Sequence, residues 1–146
     1  MPPQTQFKVA NPLALLGSIV LIAAPLVPKA ADWIADTFIP LALAVGYGAL
    51  ILPHRAGATG GYGSLAQVIA LFTNPQIALA GWVHHVGLDL FVGAWAIRTA
   101  RVAGIRHLLV VPHLVLNFLF GPAGFFTFPA MVAAFGMTTS VQEICS

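Results

Sequence analysis

Charged side chains are scarce in this chain of 146 residues, which has four acidic residues and six lysines or arginines. Only 7% of the residues are charged and 59% are hydrophobic, whereas an ordinary soluble domain is about a quarter charged. This composition excludes an ordinary soluble domain and indicates an integral membrane protein. The few cations form no cluster interleaved with aromatic residues, so we expect no nucleic-acid partner.

Sulfur and metal-binding motifs are also scarce. The single cysteine, Cys145, has no partner for an internal disulfide. The sequence contains no HExxH or CxxC spacing, no dinucleotide fingerprint and no phosphate loop. A bis-histidine haem needs two histidines at matched depth, and His85 and His113 are expected to differ by about 10 Å along the membrane normal. We therefore expect no metal and no cofactor.

Four apolar segments predict an all-α polytopic membrane bundle of four transmembrane helices, forming a single domain over residues 1–146. The expected spans cover residues 12–27, 33–52, 75–98 and 108–135. Gly121 and Pro122 predict a break in the fourth span. Between the second and third spans, apolar residues at helical spacing over 65–72 predict a short interfacial helix.

The positively charged residues predict an orientation. Three arginines lie around the loop after the third span and Lys29 lies in the first loop, whereas the opposite side has Lys8 and Arg55. The positive-inside rule then places the arginine loop in the cytoplasm and both termini outside. We expect the first span to be retained rather than cleaved as a signal peptide. Because no transit peptide is visible, the expected location is a bacterial inner membrane.

The third segment carries Asp89, His84 and His85 near its middle. An aspartate at the centre of a membrane helix costs about 2.5–3.5 kcal/mol on insertion scales, so it indicates a function or a strong internal partner. Helical geometry places His85 and Asp89 one above the other with Trp82 on the same side, while His84 points to a neighbouring face. The sequence therefore predicts a narrow polar face within a span.

The fourth segment carries a second polar pair, His113 and Asn117. Because a short loop joins the third and fourth spans, we expect antiparallel neighbours in which Asp89 faces this pair and the two adjacent histidines lie level with the Gly-Pro break. The polar groups either hold the helices together or transfer protons and bind a ligand. The second interpretation is favoured, because a membrane hydrogen bond contributes only about 0.6 kcal/mol.

Several short tracts carry a family resemblance. They are Leu71-Phe72-Thr73-Asn74-Pro75, Gly81-Trp82-Val83-His84, Asp89-Leu90-Phe91-Val92-Gly93, Gly104-Ile105 and Phe120-Gly121-Pro122-Ala123-Gly124. In this order and spacing, over residues of about 65–128, the chain resembles the abscisic-acid-deficient-four-like family. Plant plastid members of that family are required for making neoxanthin from violaxanthin. The resemblance therefore implies a role in carotenoid metabolism.

The resemblance also implies which residues act. The Trp, His and Asp of the family pattern correspond to Trp82, His84 and Asp89, whereas His85 departs from the pattern. Opening an epoxide to an allene needs an acid and a base but no redox cofactor, so His84 and Asp89 become the expected catalytic pair. The expected substrate-binding residues are Trp82, His85, His113, Asn117, Gly121 and Pro122.

The alternative function is a non-catalytic subunit that binds pigment or stabilises a larger membrane complex. Its docking faces would be the small-residue surfaces at Gly46 and Gly48 and at Gly87 and Gly93. The expected partners are membrane lipid and an apolar isoprenoid or carotenoid ligand, with either another membrane protein or a second copy of the chain.

Overall fold

A computed structural model describes residues 2–144 of the chain, and side chains over residues 2–135. Cys145 lies outside the described residues. The regular elements are helices: α1 (Pro3–Ile22), α2 (Pro28–Ala30), a π-helical segment (Ala31–Phe38), α3 (Ile39–Arg55), α4 (Leu65–Phe72), α5 (Pro75–Val102), α6 (His107–Phe120) and α7 (Pro122–Ile144). The described part of the chain contains no strand, so the all-α prediction is confirmed.

Three helices are long and apolar enough to cross a membrane. They are α1, the continuous rod Pro28–Arg55 that includes the π-helical segment, and α5. The fourth apolar segment instead forms two shorter apolar helices, His107–Phe120 and Pro122–Phe135. The membrane architecture predicted from composition is therefore present, but the predicted count of four spans is not confirmed.

The observed helix ends differ from the expected ones at prolines. α1 begins at Pro3 and passes through Pro12, which the sequence analysis placed at the start of the first span. A proline removes only one backbone donor, and membrane helices tolerate that loss where neighbouring groups compensate. Asn74 does cap α5, since its side chain accepts a hydrogen bond of 2.9 Å from the Gln76 amide. The short helix predicted over 65–72 is confirmed as α4.

The long helices run alternately up and down around α5. Phe7 of α1 contacts Trp82 near the start of α5, and Leu21 of α1 packs against Gly93 near its end, so α1 is parallel to α5. Tyr47 of α3 contacts His84. Acidic groups from the preceding π-helical segment meet the far end of α5, so the rod is antiparallel to it.

Ion pairs join the rod to α5 at the end that carries the arginine loop. The Arg101 guanidinium donates two hydrogen bonds of 3.1 Å to the Asp32 carboxylate, and Arg98 forms an ion pair with Asp36. Both arginines are therefore neutralised within the fold. Asp32 and Asp36 lie about one turn apart in the π-helical segment, so this segment aligns the rod with α5.

α6 and α7 form an antiparallel hairpin. His113 Nδ1 lies 2.8 Å from Thr127 Oγ1, although the two residues are fourteen apart in sequence. Gly124 lies so close to Asn117 that a Cβ on Gly124 would collide with the Asn117 backbone. A straight or gently kinked helix cannot bring these residues together. The break predicted at Gly121 and Pro122 is therefore a complete reversal of the chain.

The hairpin begins on the arginine side of the bundle. His107 Nε2 donates to the Ile22 carbonyl, at 2.9 Å, and so ties the start of α6 to the end of α1. Since α6 has 14 residues, it reaches only about 21 Å, less than the roughly 30 Å of a hydrocarbon core. It stops at the depth of Asp89, and α7 returns towards the arginine loop.

This direction of α7 leads to a prediction about topology. The C-terminus should lie on the same side of the membrane as the Arg106 loop and opposite to the N-terminus, because the hairpin does not complete a crossing. Reporter tags at each terminus and within the loop, read by protease protection in sealed vesicles, measure the three positions. Both termini on one side would contradict the hairpin and support four crossings.

A second prediction concerns the contact between the hairpin helices. Gly124→Ala should lower the stability of the folded protein by about 1–3 kcal/mol, because the added methyl meets the Asn117 backbone rather than a movable side chain. Gly46→Ala is the matched control, since nothing lies within 4 Å of its Cβ position. Unfolding in detergent with increasing SDS measures both variants. Equal stabilities would show that the α6–α7 contact is not close.

Candidate functional site

The candidate site is built around a carboxylate at the middle of the longest helix. Asp89 lies about 20 Å from either end of α5, and only 7% of its surface is exposed. One turn earlier, His85 brings its Nε2 atom to 3.3 Å from Asp89 Oδ2. His85 itself is 44% exposed. The pair therefore joins a buried acid to a base that is reachable from outside the bundle.

The carboxylate is incompletely satisfied. Asp89 Oδ2 is buried and accepts no hydrogen bond from any residue over the described range. His85 Nε2 is within ion-pair distance of this oxygen but forms no hydrogen bond with it. A buried polar atom without a partner is costly, so Oδ2 is suited to hold a proton or to receive a group from a ligand.

Asn117 and His113 do not bind this carboxylate. The Asn117 side-chain amide donates to the backbone carbonyl of Asp89, at 2.6 Å, in a buried contact. His113 Nδ1 lies 2.8 Å from Thr127 Oγ1, and the Thr127 hydroxyl is also 2.9 Å from the Ala123 carbonyl. A hydrogen bond from His113 or Asn117 to the Asp89 carboxylate, which the helix-linking alternative would use, is thus not formed, because His113 pairs with α7 instead.

The turn between α6 and α7 covers the pair from one side. Gly121 has φ +42°, and a Cβ built there would lie 3.4 Å from both Asp89 Oδ1 and His85 Cε1. This places His85 level with the Gly-Pro turn, as the depths along the helices predicted. α7 begins at Pro122, and the positive end of its helix dipole at this turn favours negative charge nearby.

Trp82 extends the polar face towards the N-terminal side. Its ring lies 5.9 Å from the His85 ring and 6.0 Å from the Phe7 ring, measured between centroids. It remains 40% exposed. Trp82, His85 and Asp89 therefore form the continuous face that the helical spacing predicted.

An apolar groove of about 150 Å³ opens beside Asp89 between α1, α5 and α6. Its lining consists of Leu15, Ser18, Ile19, Leu21, Ile22, Asp89, Leu90, Gly93, Leu114, Val115, Asn117, Phe118 and Leu119. Ser18 bonds within its own helix, because its hydroxyl donates to the Ala14 carbonyl at 3.1 Å. Asp89 is the ionisable side chain in the lining of the groove. A cavity of this size holds about one six-membered ring.

His84 lies on another face of α5. Five residues separate it from Asp89, a rotation of about 140° around a helix axis. Its ring packs against Tyr47 of α3, at 5.3 Å between centroids. The structure therefore does not bring together His84 and Asp89, the pair that the resemblance implied; His85 takes the position beside the carboxylate.

Residues 5–128 match the family described as ABA DEFICIENT 4-like. The chain belongs to this family. The match begins within α1 and so includes the helices before residue 65, which the sequence resemblance did not cover. No curated protein and no solved structure matches the chain. Membership, together with three apolar helices, is consistent with a membrane protein linked to the carotenoid and abscisic acid pathway.

The residues of the ABA DEFICIENT 4-like resemblance divide between two faces. Asp89, Trp82 and Gly121 meet at one site, whereas His84 lines a different groove. The sequence pattern singled out neither Thr127, the partner of His113, nor Tyr47, the neighbour of His84, as a site residue. Neither contact has a local signal, because each depends on which helix lies alongside.

The small-residue surfaces are only partly open. A Cβ at Gly93 would lie 3.0 Å from a Leu21 methyl group, and one at Gly87 would lie 3.6 Å from Leu43. These two glycines are therefore positions of internal helix packing rather than docking faces. Gly46 and Gly48 have nothing within 4 Å of their Cβ positions. In the part of the chain that the structure describes, no three histidine, cysteine, aspartate or glutamate side chains come together to hold a metal ion.

The Asn117 contact leads to a prediction about stability. Asn117→Leu should lower the stability of the folded protein by about 0.6–1.7 kcal/mol, from the average to the largest value measured for membrane hydrogen bonds, because the hairpin loses its bond to the Asp89 carbonyl. Ser18→Ala is the matched control in the same groove, since its hydroxyl bonds only within α1. SDS titration measures both. An Asn117→Leu variant as stable as Ser18→Ala would show that this bond does not hold the hairpin.

Proposed function

We propose that this chain acts on an oxygenated isoprenoid or carotenoid by acid–base isomerisation at Asp89 and His85. The observation that supports the proposal most is the buried Asp89 oxygen without a hydrogen-bond partner, beside a histidine and at the wall of an apolar groove. An acid and a base in contact, open to a lipid-soluble ligand, are the parts that a proton-transfer isomerase needs. Family membership directs the choice of ligand class.

The reaction balances without a redox cofactor. One member of the pair protonates the epoxide oxygen, the carbon–oxygen bond breaks, and its electron pair stays on oxygen as a hydroxyl group. The other member accepts a proton from a neighbouring carbon, whose electron pair forms the new double bond. The pair then holds the same number of protons as before. A proton transfer across the contact between His85 and Asp89 restores the starting state.

The surrounding residues would position the ligand. The ring-sized groove beside Asp89 suits one end group, while the remaining chain lies along the open side between α1 and α6. The Gly121 turn covers one side of the pair, and Trp82 forms the wall towards the N-terminal side. Water would be kept out by the apolar lining, which strengthens the electrostatic interactions at the pair.

The alternative function is a pigment-binding or structural subunit without catalysis. The open surface at Gly46 and Gly48 favours contact with another membrane helix. A subunit should copurify with pigment or protein in fixed proportion and show no turnover. The location in a bacterial inner membrane stays a prediction, which fractionation of the source cells would test.

The decisive experiment compares substitutions of Asp89. Proteoliposomes containing an epoxidised carotenoid should form an isomer of unchanged mass, and Asp89→Asn should lower the rate about hundredfold or more, because an amide cannot exchange the proton. Asp89→Leu tests the structural role separately through the yield of folded protein. Asp32→Asn is the matched control, since that carboxylate pairs with Arg101 far from the site.

Three outcomes separate the functions. Loss of turnover in a folded Asp89→Asn variant supports acid–base catalysis, and His85→Gln should then show a loss of similar size. Full turnover in Asp89→Asn contradicts the proposal. No turnover in the unaltered protein, together with pigment bound in fixed proportion, supports the pigment-binding subunit instead.

A further inference from the structure

A cavity of about 190 Å³ opens at the end of the bundle that carries the arginine loop. The turn after α1, the start of α2, the last turns of α5 and the start of α6 form its walls. Its polar lining residues are Arg101 and His107, and the rest of its lining is small or apolar. A cavity of about 150 Å³ holds a benzene ring, so this one has room for a phosphate group with a few carbon atoms.

The cavity lies at the level of lipid headgroups. Arg101 comes twelve residues after Asp89, a distance of about 18 Å along α5, whereas half of a hydrocarbon core is about 15 Å. Ile97, in the deeper wall of the cavity, lies about 12 Å from Asp89. With Asp89 at mid-membrane, the cavity therefore extends from the ends of the acyl chains nearest the headgroups to the headgroups themselves.

Arg101 retains hydrogen-bond donors for a second acceptor. Its guanidinium has five N–H groups, and two of them bond to the Asp32 carboxylate. The Nε–H and one hydrogen on each terminal nitrogen remain. His107 differs, because its Nε2 already donates to the Ile22 carbonyl. Arg101 is therefore the group of the lining that suits an anion, and a guanidinium matches the geometry of phosphate.

Two further cations, Lys29 and Arg106, are next in sequence to lining residues of the cavity. Both side chains are exposed, and neither forms an ion pair or a hydrogen bond with any residue whose side chain is described. The acidic side chains described at this end are already paired with arginines of α5. A charge acts over about 8–10 Å at physiological ionic strength, so these two cations leave a positive potential at the cavity.

The surroundings of the cavity favour a lipid over a soluble anion. Large apolar side chains are exposed on every element around it, namely Leu26, Trp33, Val102 and Leu108. A tryptophan at this level is typical of a membrane interface. A free phosphate ion would leave these side chains uncovered, whereas a phospholipid brings its phosphate to the cations and its acyl chains to the apolar side chains.

We propose that this cavity binds the phosphate group of an anionic phospholipid, with Arg101 as the hydrogen-bond donor and with Lys29 and Arg106 selecting for negative charge. A zwitterionic headgroup would bring its own cation to a surface that is already positive. The cavity and the groove beside Asp89 have no lining residue in common. Lipid binding here therefore does not depend on turnover at Asp89.

Native mass spectrometry of the purified protein tests this site. The full chain is transferred into detergent that contains phosphatidylglycerol and phosphatidylcholine in equal amounts. One phosphatidylglycerol should stay bound, with a preference over phosphatidylcholine of about tenfold or more. Lys29→Gln and Arg106→Gln should each weaken the binding of phosphatidylglycerol about fivefold, the factor expected for one cation near an anionic lipid surface.

Asp32→Asn should give a gain of binding, which a misfolded variant would not produce. Without this carboxylate the Arg101 guanidinium is free and the cavity loses a negative charge, so phosphatidylglycerol should bind about fivefold more tightly. Lys8→Gln is the matched control, because it removes an exposed lysine that has no described partner at the opposite end of the bundle.

Loss of binding in both cation variants, together with a gain in Asp32→Asn, supports the proposal. Equal binding of the two lipids would overturn it. The same loss in Lys8→Gln as in Arg106→Gln would also overturn it, because the attraction would then belong to the whole protein. Displacement of phosphatidylglycerol by millimolar inorganic phosphate would overturn the lipid assignment and assign the cavity to the free ion.

Discussion

Backbone that leaves its helix in the middle of a membrane must be covered by protein, because lipid offers it no hydrogen-bond partner. The turn at Gly121 is backbone of this kind, and it rests against His85 and Asp89. A carboxylate at the same depth needs cover for the same reason. The hairpin shields Asp89 from lipid while α5 shields the turn, so the contact between them serves both requirements.

The rest of the bundle arranges the helices around this contact. Asn117 ties the hairpin to the backbone of α5 without occupying the Asp89 carboxylate. The ion pairs of Arg98 and Arg101 join α5 to the preceding rod at the arginine side. The groups that form these bonds are therefore different from Asp89 Oδ2, which is buried without a hydrogen-bond partner among the described residues.

The sequence predicted much of the fold because membrane helices leave strong local signals. Long apolar segments indicate spans, and the cap at Asn74 and the short helix over 65–72 follow from residue types and spacing. The face shared by Trp82, His85 and Asp89 needed only the helical repeat. The helix boundaries expected at prolines were wrong, because a membrane helix continues through Pro12 where a soluble helix would tend to begin.

The α6–α7 reversal and the partners of each polar side chain could not be derived in the same way. Gly121 and Pro122 mark a break, but a kink and a hairpin have the same local signal. His113 faces Thr127 only because the chain doubles back. His84 and His85, adjacent in sequence, meet different neighbours because α3 and the α6–α7 turn lie on different sides of α5. By itself the sequence determined the membrane class, the helices and the polar face, all consequences of hydrophobicity and the helical repeat. Only the tertiary structure decided which groups meet, because contacts between distant residues depend on how whole helices pack.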